Sequence, residues 1–126
     1  MLHPNQFQVN EAWLAFKLND EPVRTQADGD FNLIALMDAA SCFILSTAFV
    51  PAKDAEPSKV KVRELLKKGK SHKQELPKTL FVPSGQFESI LPAEAQLQGI
   101  DVVRVTEDQL ILFIADARKG FREQFS

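Results

Sequence analysis

The stretch Lys78-Thr79-Leu80-Phe81-Val82-Pro83-Ser84-Gly85, followed after one helical span by Gly99-Ile100-Asp101-Val102-Val103-Arg104-Val105, decides the fold. Lys78 to Val82 is a compact strand stopped by Pro83-Ser84-Gly85, and Ile100 to Val105 is a strand by β-branching and alternation. Between them Phe87, Ile90, Leu91, Ala95 and Leu97 keep a helical spacing up to Gly99. Pro92 must either kink that helix or start a new one at its first turn. Two strands joined by a helical crossover are expected to lie parallel in one sheet.

Upstream, the pattern is a meander. Glu11 to Leu18 holds Trp13, Leu14, Ala15, Phe16 and Leu18 and predicts a first strand, and Val23 to Ala27 predicts a short return before the turn Asp28-Gly29-Asp30. Phe31 to Met37 and Ser41 to Val50 predict two antiparallel strands around Asp38-Ala39-Ala40. After the loop Pro51 to Pro57, Val60, Val62, Leu65 and Leu66 predict a helix over 60–68 with Gly69 as its stop, although the alternation Lys59 to Arg63 also suits a strand edge. Lys70 to Pro77 reads as a polar connector.

Downstream of Val105, Thr106 and Gln109 have capping-box spacing, and Ser84 reads as a helix cap. Leu110, Phe113, Ile114, Ala117, Phe121 and Phe125 mark one stripe of a final helix that Gly120 weakens. The expected fold is α/β: a mixed sheet with an N-terminal antiparallel meander, followed by α-β-α-β-α and covered by helices. It fills one domain over residues 1–126, with the polar residues 1–10 as a flexible arm.

A chain of 126 residues with 44% hydrophobic and 25% charged residues has room for one core and no second full domain. Fifteen basic against seventeen acidic residues give a net charge of -2, which argues against a general nucleic-acid coat protein. Cys42 is the sole cysteine, so no disulfide forms within the chain and a reducing, cytoplasmic setting is expected. The N-terminal residues show no signal-peptide pattern, and no apolar run approaches the roughly 18 residues of a membrane span.

Three antiparallel strands extended by parallel ones are the ribonuclease H-like arrangement, and particular residues resemble the integrase and transposase core family. Trp13-Leu14-Ala15-Phe16 is similar to that family's first strand, Leu36-Met37-Asp38-Ala39-Ala40-Ser41 to its Asp-and-Ser hairpin, and Phe81-Val82-Pro83-Ser84-Gly85-Gln86-Phe87 to its strand ending in Asp-Asn-Gly and an aromatic. Gln98-Gly99-Ile100 continues the likeness, which covers roughly residues 11–105. The resemblance implies nucleic-acid cutting or joining by acidic residues and divalent metal. Two metal ions about 4 Å apart need several converging carboxylates. The family's first-strand Asp would fall near Phe16 and its later Asp at Pro83, neither of which is a ligand. A third acid could be Asp116 or Glu123, but alone it binds no metal pair. The resemblance therefore implies a non-catalytic descendant.

Other chemistry finds little support. His3, His72 and Cys42 lack metal-ligand spacing, Pro83-Ser84-Gly85 lacks the nucleophile elbow, and no glycine-rich phosphate loop is present, so no cofactor is expected. Three readings remain. The first is a protein-interaction or self-association module, a homodimer being the simplest form, with Phe121 and Phe125 as candidate interface residues. The second is nucleic-acid binding through Lys59, Lys61, Arg63, Lys67, Lys68, Lys70 and Lys73. Between Lys59 and Lys78 eight basic residues face two acidic ones, although a solvated helix face explains such charge as well. The third is a metal-dependent nuclease using Asp38, Asp101, Glu107 and Asp108, of which Glu107 and Asp108 already suit the first turn of a helix.

Overall fold

The computed structural model describes residues 1–26 and 29–125. Among the described residues five strands, β1 (Ala12–Lys17), β2 (Phe31–Asp38), β3 (Ile44–Pro51), β4 (Thr79–Pro83) and β5 (Asp101–Val105), form one sheet in the order β3-β2-β1-β4-β5. β1 is antiparallel to β2 and parallel to β4; β2 and β3 are antiparallel, and β4 and β5 parallel. The helices are α1 (Lys59–Lys73), α2 (Ile90–Leu97) and α3 (Ile111–Phe125), the last preceded by a 3-10 turn over Glu107–Leu110. Among the described residues no helix is long and apolar enough to cross a membrane.

β1 is the central strand, and Ala12 to Phe16 are buried on both of its faces. That is why its sequence runs apolar without alternation. Trp13 and Ala15 face one layer with Ile34 and Leu36 of β2, Val62, Leu65 and Leu66 of α1, and Leu91 and Ala95 of α2. Leu14 and Phe16 face the other with Leu33, Ala35 and Met37, closed by Leu110, Phe113 and Ile114. Each such large side chain contributes about 2 kcal/mol on burial.

Several local expectations change. Gly69 does not stop α1; the helix runs on to Lys73 and ends at Gln74 in a left-handed conformation, its N–H donating to Lys70 O at 2.7 Å. The glycine is there for closeness: a Cβ at Gly69 would lie 2.7 Å from Leu36 Cδ2 and 3.1 Å from two ring carbons of Trp13. Residues 70–73 of the expected connector are therefore helical. β3 begins at Ile44, not Ser41, because Cys42 adopts a φ of 59° in the turn. Asp38 organises that turn: its carboxylate accepts from Asn10 N–H (2.7 Å), Ser41 N–H (3.0 Å) and the Ser41 hydroxyl (2.7 Å). Asn10 in turn accepts from Trp13 Nε1–H at 2.7 Å.

The capping box expected at Thr106 is not formed. Its side chain makes no cap bond, since the chain enters a 3-10 turn closed by Gln109 N–H on Thr106 O at 3.0 Å. Ser84 caps no helix; its N–H and hydroxyl donate to Val105 O at 2.7 and 3.2 Å, tying the ends of β4 and β5. The N-terminus of α2 is served instead by Glu56, whose carboxylate accepts from the Ser89 hydroxyl at 3.0 Å and from Ile90 N–H. Pro92 fits because it is the third residue of α2, where no N–H is required. Of the return expected at Val23 to Ala27, the described part is one bridge between Val23 and Phe31; Ala27 and Asp28 lie outside the described residues. At the start of the chain, Leu2 N–H donates to Gln109 O at 3.0 Å and Phe7 packs edge-on against Phe81 at 5.6 Å.

Candidate functional site

The parallel strands β1, β4 and β5 end together at Lys17, Pro83 and Val105. The resemblance points to this end of the sheet. Phe16 is fully buried in the layer beneath α3, and Pro83 is buried without a side-chain donor. What gathers there is a guanidinium. Arg118 of α3 donates through Nε and Nη2 to Lys17 O at 3.1 and 2.9 Å, and through Nη1 to Glu107 Oε1. Its Nη1 is also 3.7 Å from Asp20 Oδ1, and Arg122 holds the other Asp20 oxygen at 2.7 Å. Gln86 completes the cluster by donating to Glu107 Oε2 at 3.1 Å and accepting from Lys17 N–H at 3.4 Å.

The electrostatics follow from these contacts. Arg118 is only 12% exposed at its side chain, so its charge is neutralised by Glu107 and Asp20 in a partly dry setting. Both Glu107 oxygens are engaged. A guanidinium donates and has no acceptor, so the acceptors of this cluster are the carboxylates of Glu107 and Asp20 and the Lys17 carbonyl. Arg104 of β5 stiffens the same end, donating to Gln86 O at 2.7 Å and to Phe87 O.

The four acids of the nuclease reading do not meet. Trp13 pairs with Asp38, and Asp101 pairs with Thr79, which pairs with Ala12, so Asp38 and Asp101 lie where β1 begins. Glu107 and Asp108 lie where the parallel strands end. Among the described residues no group of three His, Cys, Asp or Glu is placed to hold a metal ion. Asp116 is exposed on α3. Cys42 is half-buried and free; burial pushes its thiol up, and the carboxylates of Asp38 and Asp116 add to that.

The basic residues expected to act together all lie on α1. Lys59, Lys61, Lys67, Lys68, Lys70 and Lys73 are exposed there, while Arg63 is committed to Glu94 of α2, which its Nε meets at 3.1 Å. Glu94 is almost fully buried, so Arg63 holds two helices together. Phe121 is half-buried and packs on the layer beneath α3. Phe125 ends α3.

Sequence reading missed Arg118, Gln86 and Asp20 because their partners are distant: Arg118 meets Lys17 across 101 positions. One signal was present. Arg118 lies four residues after Ile114, at the border of the apolar stripe, where a charged side chain must reach a partner or water.

No family model matches the chain, and no curated protein matches it. Solved structures do. The chain is similar to the HTLV-2 integrase catalytic core domain, in a structure described as a dimeric form in complex with magnesium, with a TM-score of 0.54 and 11% identity over 79% of this chain. It is similar to the BIV integrase catalytic core domain, with a TM-score of 0.57 and 10% identity over 90% of this chain. A third likeness is to a simian T-cell lymphotropic virus intasome in complex with PP2A regulatory subunit B56 gamma, with a TM-score of 0.53 and 11% identity over 76% of this chain. The chain spans 63%, 68% and 32% of the lengths of the HTLV-2, BIV and simian virus chains respectively. Strand order, the mixed pairing and these likenesses agree: this chain has the ribonuclease H-like fold of the integrase catalytic cores.

Proposed function

We propose that this chain is a non-catalytic ribonuclease H-like domain that serves as a protein-interaction module in the cytoplasm. The observation that carries the reading is Arg118. Where the resemblance calls for acids around divalent metal, Phe16 and Pro83 supply no ligand and the nearby carboxylates, Glu107 and Asp20, already face a guanidinium. The residues present do not fit a metal pair: Phe16 and Pro83 supply no oxygen ligand, and a divalent cation added at Glu107 would meet the Arg118 charge already held against it. The HTLV-2 neighbour is described with magnesium and as a dimer. This reading carries over no metal from it, and leaves self-association as one form of the interaction role. The cytoplasmic part of this reading rests on the sequence, whose single cysteine allows no disulfide within the chain.

The test is incubation of the chain with single- and double-stranded DNA and RNA in magnesium or manganese. No cleavage is expected. Metal-dependent cleavage that disappears in Glu107→Gln would overturn the reading.

A second reading rests on the six exposed lysines of α1. They could follow a phosphate backbone, with an affinity that falls steeply as added salt lessens the gain from counterion release. A salt titration with mixed DNA and RNA tests it, and absence of binding at low ionic strength removes it.

A further inference from the structure

The two edges of the sheet are built differently. β5 is five residues long and carries Asp101 and Arg104, charges of the kind that protect an edge from stray pairing. β3 runs for eight residues, Ile44-Leu45-Ser46-Thr47-Ala48-Phe49-Val50-Pro51, without a single charge.

The ladder fixes which backbone groups of β3 face outward. Leu33 turns its groups towards β1, since Leu18 N–H donates to its carbonyl at 2.8 Å and its own N–H donates to Asn19 Oδ1 at 2.7 Å. Alternation then turns Asn32, Ile34 and Leu36 towards β3, where they pair with Val50, Ala48 and Ser46. The N–H and C=O groups of Thr47 and Phe49 therefore point off the edge of the sheet. This opening is closed at both ends. His72 Nε2 lies 2.8 Å from the Leu45 carbonyl, while Pro51 has no N–H and its carbonyl accepts from Asp54 N–H at 2.9 Å. A short window of edge remains, two residues wide.

Its surroundings suit a strand of particular chemistry. Phe43 and Phe49 border it, 55% and 56% exposed. On α1, Lys61, Leu65, Lys68 and His72 share one face at spacings of four, three and four residues. Leu65 O accepts from the Ser46 hydroxyl at 2.8 Å and His72 reaches Leu45, so this face lies over β3 and carries two exposed lysines along it.

We propose that the β3 edge at Thr47 and Phe49 is the docking site for an extended segment of an acidic partner protein. The segment adds as a sixth strand with its carboxylates beside Lys61 and Lys68. The proposal rests on the protein-interaction reading above and names its surface. Charge complementarity selects the occupant: two copies of this chain paired β3 to β3 about a two-fold axis would bring like-charged lysines together.

The probes are two capped octapeptides, one alternating glutamate with valine and one alternating lysine with valine, titrated into the isotope-labelled chain at low salt. Saturable binding of the glutamate peptide is expected, with the Thr47 and Phe49 amides shifting and exchanging more slowly. The lysine peptide should bind about ten-fold more weakly, and Lys61→Glu with Lys68→Glu should reverse the preference. Both lysines are exposed, so circular dichroism should show the double variant folded. The proposal is overturned by no saturable binding of the glutamate peptide, by equal binding of both peptides, or by binding that leaves the two amides unchanged. It is also overturned if those amides become protected with rising concentration of the chain alone, which makes a second copy the occupant. None of these outcomes touches the cleavage assay, so a failure here is separable from a failure of the non-catalytic reading.

Discussion

Replacing Gly69 and Gly120 by alanine, one at a time, is the same chemical change in two helices and should move stability in opposite directions. Alanine favours a helix interior over glycine by about 1 kcal/mol. At Gly120 of α3 a new Cβ meets nothing within 4 Å. Gly120→Ala should therefore stabilise, by about 0.5 kcal/mol given its place near the helix end. At Gly69 the new Cβ would sit 2.7 Å from Leu36 Cδ2 and 3.1 Å from Trp13 ring carbons. Carbon atoms in contact prefer about 3.5–4.0 Å, so α1 or the sheet must give by roughly half an ångström or more. Leu36 and Trp13 have no exposed surface into which to retreat. Overpacking of this kind costs about 1–3 kcal/mol, and the rigid indole puts Gly69→Ala towards the upper end. Less the helical gain, a net loss of about 1–2 kcal/mol remains. Urea unfolding followed by circular dichroism measures both, and in thermal melts the two variants should differ by several degrees. A Gly69→Ala chain as stable as Gly120→Ala would refute the reading of Gly69 as the point of closest approach.

Arg118→Ala should cost about 2–4 kcal/mol, because it strips the Lys17 carbonyl of two charged donors and leaves Glu107 and Asp20 facing each other, and denaturant titration reads the loss. Arg63→Ala should cost about 1–2 kcal/mol by leaving Glu94 buried without its partner, a figure kept low because Arg63 itself is more than half exposed. Adding Glu94→Leu should recover most of that loss, which a double-mutant cycle measures. For Cys42 the thiol is raised by burial first and by Asp38 and Asp116 second, so at about pH 8 alkylation by iodoacetamide should be slower than for a free cysteine. A group that ionises later in the folded chain than in the unfolded one stabilises below its unfolded pKa, so this contribution fades as pH rises past that value.

Much of the fold was legible because each element carried its own period. The apolar run at Trp13 to Phe16 predicts a strand, which the structure buries on both faces, and the β-branched run one crossover after Leu80 predicts two parallel strands, which the structure sets in the order β1-β4-β5. The errors lay where a local rule met a tertiary contact. Gly69 reads as a helix stop by composition, but its lack of a side chain serves Trp13 and Leu36, more than thirty residues away. Thr106 and Ser84 have the chemistry of caps, yet the joined ends of β4 and β5 use them or pass them by. The candidate site was legible only by what it lacks: Phe16 and Pro83 stand out in sequence, whereas Arg118 with Lys17, Glu107 and Asp20 exists only after folding. The basic segment was visible as charge, but not that Arg63 is spent on Glu94 or that α1 is tied to β3 through Leu65 and Ser46.

In the proposed non-catalytic domain, Arg118 stands where the resemblance calls for metal, at the ends of the parallel strands. Crystals grown in millimolar manganese and measured at the manganese absorption edge test it most directly. No anomalous peak is expected among Asp20, Gln86, Glu107 and Arg118, with Arg118 still bonded to the Lys17 carbonyl. A manganese peak ligated by Glu107, with Arg118 swung away, would contradict it.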